Sequence, residues 1–317
     1  MTQTTTISAG IDVAKDKLDI AIHGQAACWQ VPNARQGWQR LAADLVRAKV
    51  TRVGIEATGG YERGVIRYLR DNGFKVVLLQ PVQVRAFARA QLKRAKNDRL
   101  DALLIAAFTA LLDLPDREID QRLLDLAQEL TFVEQTEEDI ARFKTRLEHL
   151  DDPRQRRMVV ADIARLKTRR AAELRRLVKL LRVHADLGDR FDLVLSVPGI
   201  GERTAIALIV RMPELGRISR EGVAALAGVA PFDDDTGVHK GQRHISGGRG
   251  RLRRSLYAAA LPAAFRWNKA LIALYARLIA AGKAHKKALI ACARKLLIYA
   301  NTVVQRGTPW IEKPAAS

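Results

Sequence analysis

Residues 7–33 read ISAGIDVAKDKLDIAIHGQAACWQVPN, and this stretch decides how the whole N-terminal third is read. Its apolar residues fall into three short runs, Ser8–Val13, Leu18–His23 and Ala27–Val31, separated by turn-forming and charged residues. Runs so short and so closely joined predict a three-stranded meander. Working outward, Gln36–Ala48 predicts a helix, Arg52–Ala57 a buried strand, Tyr61–Asn72 a helix ended near Gly73, and Lys75–Gln80 another strand. Two more helices follow, Val82–Gln91 and Asp98–Leu112.

Three strands followed by alternating helix and strand is the order of an RNase H-like α/β domain. The acidic residues sharpen that expectation. Asp12 ends the apolar strand ISAGIDV and Glu56 holds the equivalent place in RVGIEATGG, while Asp98 and Asp101 lie three apart on one helix. Four carboxylates from two strand ends and one helix face can converge on a point, where their mutual repulsion demands a cation. A hard, all-oxygen ligand set suits Mg²⁺ or Mn²⁺, and a pair of such ions suits phosphodiester transfer. Taken singly, each acid has a plainer role: Asp12 in a turn, Glu56 paired with a lysine, Asp98 as a helix cap. Asp16, Asp19 and Glu62 read as surface groups. The basic run Arg85, Arg89, Lys93, Arg94 and Lys96 leads into Asp98 and would draw phosphate towards it.

The chain has 317 residues, 48% of them hydrophobic, with 54 Lys and Arg against 34 Asp and Glu, a net charge of +20. That hydrophobic share describes a folded protein and excludes a basic disordered tail. No uncharged apolar run reaches the roughly 18 residues a membrane span needs, and the N-terminus lacks a signal-peptide pattern, so a cytoplasmic, reducing setting without a membrane partner is expected. Cys28 and Cys292 offer neither a disulfide framework nor a zinc site and read as small hydrophobes. The charge balance points to a polyanionic partner, with nucleic acid first.

Breaks near Leu114–Asp116 and Gly188–Asp189 divide the chain into residues 1–116, 117–190 and 191–317. The last segment holds 20 basic and 8 acidic residues, which places the main polyanion contact there. In the middle segment Leu123, Leu126, Leu130, Val133, Ile140, Leu147 and Leu150 recur at three- and four-residue steps. Asp151-Asp152-Pro153 interrupts, and a second run continues through Val159, Ile163, Leu166, Leu174, Leu177 and Leu181. Two long helices joined by a short turn predict an antiparallel coiled-coil hairpin, serving as a spacer or dimerisation arm.

The C-terminal segment is mainly helical. Pro198-Gly199-Ile200-Gly201 lies between two apolar helical runs and resembles a helix-hairpin-helix element, whose glycines expose backbone N–H groups to phosphate. The plainer reading is a tight turn packed in a core. A glycine-rich loop follows, threaded with Lys240, Arg243, Arg249, Arg251, Arg253 and Arg254, with a helix beginning near Leu252. Such a loop can wrap a phosphate backbone, and the hydroxyls of Thr236 and Ser246 are placed to attack one. Trp267, Tyr257 and Tyr275, at helical spacing, read more readily as core than as base-stacking groups.

Several stretches together carry a resemblance that spans nearly the whole chain: GIDVAKDKLDIAI, IEATGGYERGVIRYL, VVLLQPVQVRAFA, AKNDRLDALLIA, SVPGIGERTAIALI, LAGVAPF and HISGGRGRLRRSLYAAAL. The chain resembles the DEDD transposases of the insertion sequence 110 family, which include site-specific DNA invertases. The resemblance implies a RuvC-like domain, a coiled coil and a C-terminal transposase domain, with Asp12, Glu56, Asp98 and Asp101 as the metal-binding acids. It also implies recombination of DNA at element ends and target, guidance by a structured non-coding bridge RNA, and a dimer or tetramer whose subunits complete each other's active sites. The prokaryotic setting would be the cytoplasm, with nucleoid association when DNA is bound.

One departure stands out. Where the family has a nucleophilic serine before a glycine, this chain has Thr236 before Gly237. Threonine has the hydroxyl for the task, but its extra methyl stiffens χ1 and crowds an in-line approach. Ser246 is the nearest other hydroxyl and does not match the family position. Two other functions fit the same residues: a hydrolytic resolvase-type nuclease using water, and a silenced nucleic-acid-binding relic.

Overall fold

The computed structural model describes residues 7–91, 98–112, 120–232, 244–245 and 247–311. The chain divides into two compact units, residues 1–117 and 118–317.

In the first unit the meander forms as expected: β1 (Ile7–Val13), β2 (Lys17–Ile22) and β3 (Cys28–Pro32) pair antiparallel in sequence. There follow α1 (Arg35–Arg47), β4 (Val50–Glu56), α2 (Arg63–Asp71), β5 (Lys75–Leu79), α3 (Pro81–Ala90) and α4 (Asp98–Leu111). β4 pairs with β1 and β5 pairs with β4, both parallel, giving one mixed sheet in the order β3-β2-β1-β4-β5. Strand side chains alternate between faces. Ala9, Ile11, Ile20, Val53 and Ile55 point one way, into a core closed by Leu41, Leu45, Val65 and Leu69 of α1 and α2. The other face carries smaller residues. There Ala21 packs with Ala102 and Ala106 of α4, and Leu79 packs with Val84, Leu104 and Ile105.

Gly10 explains how closely α4 approaches. A Cβ at Gly10 would overlap the Ala106 backbone nitrogen and the Ala102 carbonyl, and one at Gly54 would overlap the Thr109 hydroxyl. The helix therefore rests on the bare backbone of β1 and β4, a packing that any larger residue would prevent.

The second unit is helical. α5 (Gln121–Glu148) and α6 (Pro153–Arg182) are the two long helices expected from the leucine spacing. Asp120 and Asp152 cap them, each accepting a hydrogen bond from the backbone N–H two residues on, and Pro153 stands at the start of α6, where its missing N–H costs nothing. Arg170 pairs with Glu137, Arg176 with Glu129, and Arg156 donates to the Leu147 and Leu150 carbonyls, so residue numbers rise on one helix as they fall on the other. The outer half of this hairpin has its own small core of Ile140, Val159 and Ile163. In the inner half, Leu123, Leu126, Leu130, Leu177 and Leu181 belong instead to the main core of the unit.

That core is completed by α7 (Ala185–Leu195), α8 (Glu202–Arg211), α9 (Arg220–Ala227), α10 (Gly250–Pro262), α11 (Lys269–Ala280) and α12 (His285–Arg306). A short β6–β7 pair, Pro231–Phe232 with His244–Ile245, flanks the glycine-rich loop, and a π-helical turn, Ala263–Trp267, follows α10. Cys292 is fully buried among these helices while Cys28 is half-buried. Among the described residues no helix is long and apolar enough to cross a membrane.

Candidate active site

The β1–β4 register aligns Ile11 with Ile55, so Asp12 and Glu56 are the next pair along, side by side at the C-terminal ends of adjacent parallel strands. Both share the face of Gly10 and Gly54, two residues back, and that is the face α4 covers. The direction of α4 follows from three contacts: Ala102 and Ala106 lie over Gly10, Thr109 over Gly54, and the Leu112 carbonyl accepts from Arg52. The helix thus runs antiparallel to β1 and β4, with its N-terminus towards the strand ends. From Gly10 to Asp12 is about 7 Å of strand, equivalent to roughly four to five helical residues. Counted back from the Ala102–Ala106 contact, this brings positions 98 and 101 level with Asp12 and Glu56.

The four acids expected from sequence therefore come from the same end of the same layer. The Asp98 side chain lies outside the described residues. Among the described residues no group of three or more His, Cys, Asp or Glu is close enough to hold a metal ion. By donor type and by position the acids fit a hard divalent cation; Asp12, Glu56 and Asp101 alone do not assemble its ligand shell.

Two carboxylates expected at the surface are buried instead. Asp19 lies directly across the β1–β2 pair from Asp12, is 5% exposed, and is held by Lys17 and Gln30. Its strand position, between Leu18 and Ile20, is what turns it to the α4 face. Glu62, 7% exposed, folds back over the turn that follows Glu56. It accepts hydrogen bonds from the Thr58 hydroxyl at 2.7 Å, the Gly60 N–H at 2.8 Å and the Thr58 N–H at 3.3 Å. Burial pushes the Glu62 carboxyl up, but these bonds and its own backbone N–H outweigh burial and hold it below the ordinary value. Glu62 thus fixes the loop leaving Glu56. A sequence signal existed, a carboxylate four residues beyond a threonine in a glycine turn.

In the second unit Thr236, Lys240, Arg243 and Ser246 lie outside the described residues. The glycine turn joins α7 to α8. Gly199 adopts φ +97°, and a Cβ there would overlap that of Ala263, so this glycine serves close packing within the core. Gly201 caps α8 with open space around it.

The arginines expected to grip phosphate are mostly committed within the chain. Arg249 forms a two-pronged pair with Glu214, both contacts 2.8 Å, and Arg253 donates to the Gly228 and Gly247 carbonyls. Arg251 reaches Glu134 at 2.7 Å; Arg254, the most exposed of the four, meets Glu138 at 3.3 Å. Glu134 is the centre of this network. Its carboxylate is 5% exposed and also takes Arg211 at 2.6 Å and Arg203 at 3.4 Å. Glu134, Glu137, Arg170, Arg203, Arg251 and Ser255 line a cleft of about 410 Å³ between α5, α6, α8 and α10. The physical reason is burial: a carboxylate inside this core requires several cations, and they are drawn from the segment that sequence assigned to phosphate.

Two family models match the chain, one described as a DEDD-type IS110 transposase over residues 9–152 and one as the IS116/IS110/IS902 transposase family over residues 191–276. The chain belongs to this family of transposases. Both matches cover the parts described above, the acid-bearing unit with the start of the hairpin, and the α7–α11 region. Two curated relatives carry the name pilin gene-inverting protein. That of Moraxella bovis is 27% identical over 318 residues, covering 95% of this chain and 96% of its own. That of Moraxella lacunata is 26% identical over 317 residues, again 95% and 96%. The chain is thus a transposase of the DNA-recombining type, matched along nearly its whole length.

Proposed function

We propose that this transposase cuts and rejoins DNA strands through a covalent protein–DNA ester, using Asp12, Glu56, Asp98 and Asp101 as one acidic centre in an RNase H-like, RuvC-like domain. The observation that carries the reading is the meeting of two adjacent parallel strand ends with the N-terminus of α4 on one face of the sheet. Mg²⁺ or Mn²⁺ held by these acids would supply Lewis-acid polarisation of the scissile phosphate. The strand register holds Asp12 and Glu56 at adjacent strand ends and Glu62 holds the turn leaving Glu56, which supports a centre whose two strand acids are ordered in advance of DNA. The attacking group is the Thr236 hydroxyl: its oxygen bonds to phosphorus, its proton is lost to a base, and one bridging oxygen leaves as the DNA end. The ester conserves the phosphodiester energy, and the reverse attack by a DNA hydroxyl rejoins the strand and frees Thr236. Phosphates are held by Lys240, Arg243 and Arg254, with Arg249, Arg251 and Arg253 shaping the same segment. Gly201 at the start of α8 offers a further phosphate contact in a helix-hairpin-helix manner, with Gly199 shaping the turn. A structured guide RNA selects the DNA sites, and the α5–α6 coiled-coil hairpin joins subunits into a dimer or tetramer. DNA inversion, as in the names of the two relatives, is one outcome of this chemistry.

The test is incubation of end-labelled element-end DNA with protein, its flanking RNA and Mg²⁺, followed by denaturation. Label on the protein, mapped to Thr236 by peptide mass spectrometry, is the expected result. Asp98→Ala should remove both the adduct and strand exchange while leaving the circular dichroism melt unchanged. Cut DNA with free ends and no adduct would assign the attack to water, and full activity in the Asp98 variant would remove that residue from the centre.

A further inference from the structure

The π-helical turn after α10 holds two large aromatic side chains out in solvent: Trp267 is 64% exposed and Phe265 50%. With Leu261, Pro262 and Arg266 they line a shallow concavity of about 290 Å³. Pro262 has no N–H to continue the helical ladder, and the chain widens into a π turn closed by the Asn268 N–H donating to the Ala263 carbonyl at 3.0 Å. The turn is pinned from behind. Ala263 and Ala264 are buried, and Asn268, 3% exposed, donates to the Pro198 carbonyl and accepts from the Leu271 N–H. Phe265 is braced by Tyr275, with ring centroids 4.9 Å apart, and Tyr275 shares a 2.7 Å hydrogen bond with His285. Trp267 therefore stands on a fixed base, whereas its spacing read as core.

Charge decides what such a surface meets. From Thr236 to Ile311 the chain has fifteen Lys and Arg and no Asp or Glu. Arg266, Lys269, Lys286 and Lys287 are all exposed around or near the aromatic turn. A second copy would bring the same excess of cations against itself, which disfavours self-association through this face. A polyanion with accessible flat faces satisfies both the charge and the aromatics, and unpaired nucleotides have both. Duplex DNA hides its base faces within the stack.

We propose that Trp267 and Phe265, with Arg266, form a stacking platform for unpaired bases of single-stranded DNA. It rests on the recombinase reading, because strand exchange is the step that separates DNA bases from their partners. Trp267 would stack on one base while Arg266 and its neighbouring lysines follow the backbone.

The experiment measures equilibrium binding of the full chain, without Mg²⁺ so that no cleavage enters, to fluorescent oligothymidine, a matched duplex and oligouridine. Trp267→Ala should weaken oligothymidine binding about tenfold and leave duplex binding within about twofold, and Trp267→Phe should restore most of the loss. Equal loss on duplex and single strand, or no loss, overturns the platform. A loss confined to oligouridine would make it an RNA site and overturn the DNA assignment. A changed sedimentation coefficient with unchanged oligothymidine binding would make it a contact between copies, also overturning it. Absence of any Thr236 adduct would sink the catalytic proposal and leave this binding result standing, so the two fail separately.

Discussion

Glu62 shows how a single side chain can govern a loop that bears chemistry. Its carboxylate takes three donors from Thr58 and Gly60, and in the folded chain it titrates below its ordinary value of 4.5. The stability this contributes is complete above that value, where folded and unfolded chains are both ionised. It is lost as pH falls towards the folded value, because the unfolded chain takes up the proton first. Glu62→Ala should therefore cost about 1–3 kcal/mol at neutral pH by leaving buried donors unmet. The gap from wild type should close below pH 4.5, as urea midpoints at pH 7, 4 and 3 would show; a gap independent of pH would assign the effect to packing. The strand-end positions of Asp12 and Glu56 were legible because each carboxylate follows an apolar run of strand length. The burial of Asp19 was not, because it depends on a neighbouring strand; that of Glu62 had only the threonine four residues before it in a glycine turn as a signal, and it depends on the loop folding back.

Among the elements, apolar spacing located β1 to β5, α1 to α4 and the α5–α6 hairpin, which follows its leucines closely, whereas α9, α11 and α12 had no assignment from sequence. What period could not assign was the task of the arginines. Seen in sequence, Arg249, Arg251, Arg253 and Arg254 are a basic loop; in space each already has an intrachain partner, since Glu134, Glu138 and Glu214 come from elements far away in the chain. The network makes α5, α8 and α10 one block. Replacing Glu134 with alanine should leave Arg203, Arg211 and Arg251 without their shared carboxylate and cost about 3–5 kcal/mol. Thermal unfolding of the second unit would reveal this, and a loss below about 1 kcal/mol would mean the cations find water instead.

Across the whole molecule, the first unit has two layers of helix against one sheet, and the two are built on different rules. α1 and α2 meet the sheet through branched apolar side chains, whose combined volume matters more than any one shape. α4 meets it through backbone, over Gly10 and Gly54, and that contact sets where Asp98 and Asp101 stand against Asp12 and Glu56. Sequence drift should therefore be lopsided. Residues such as Leu41, Leu45 and Val65 can exchange among similar hydrophobes over generations without moving the acids, while one added carbon at Gly10 lifts α4 and shifts positions 98 and 101 against Asp12 and Glu56. A saturation scan scored on recombination would read this asymmetry directly, with Gly10 intolerant even of alanine; equal tolerance on both faces would refute it.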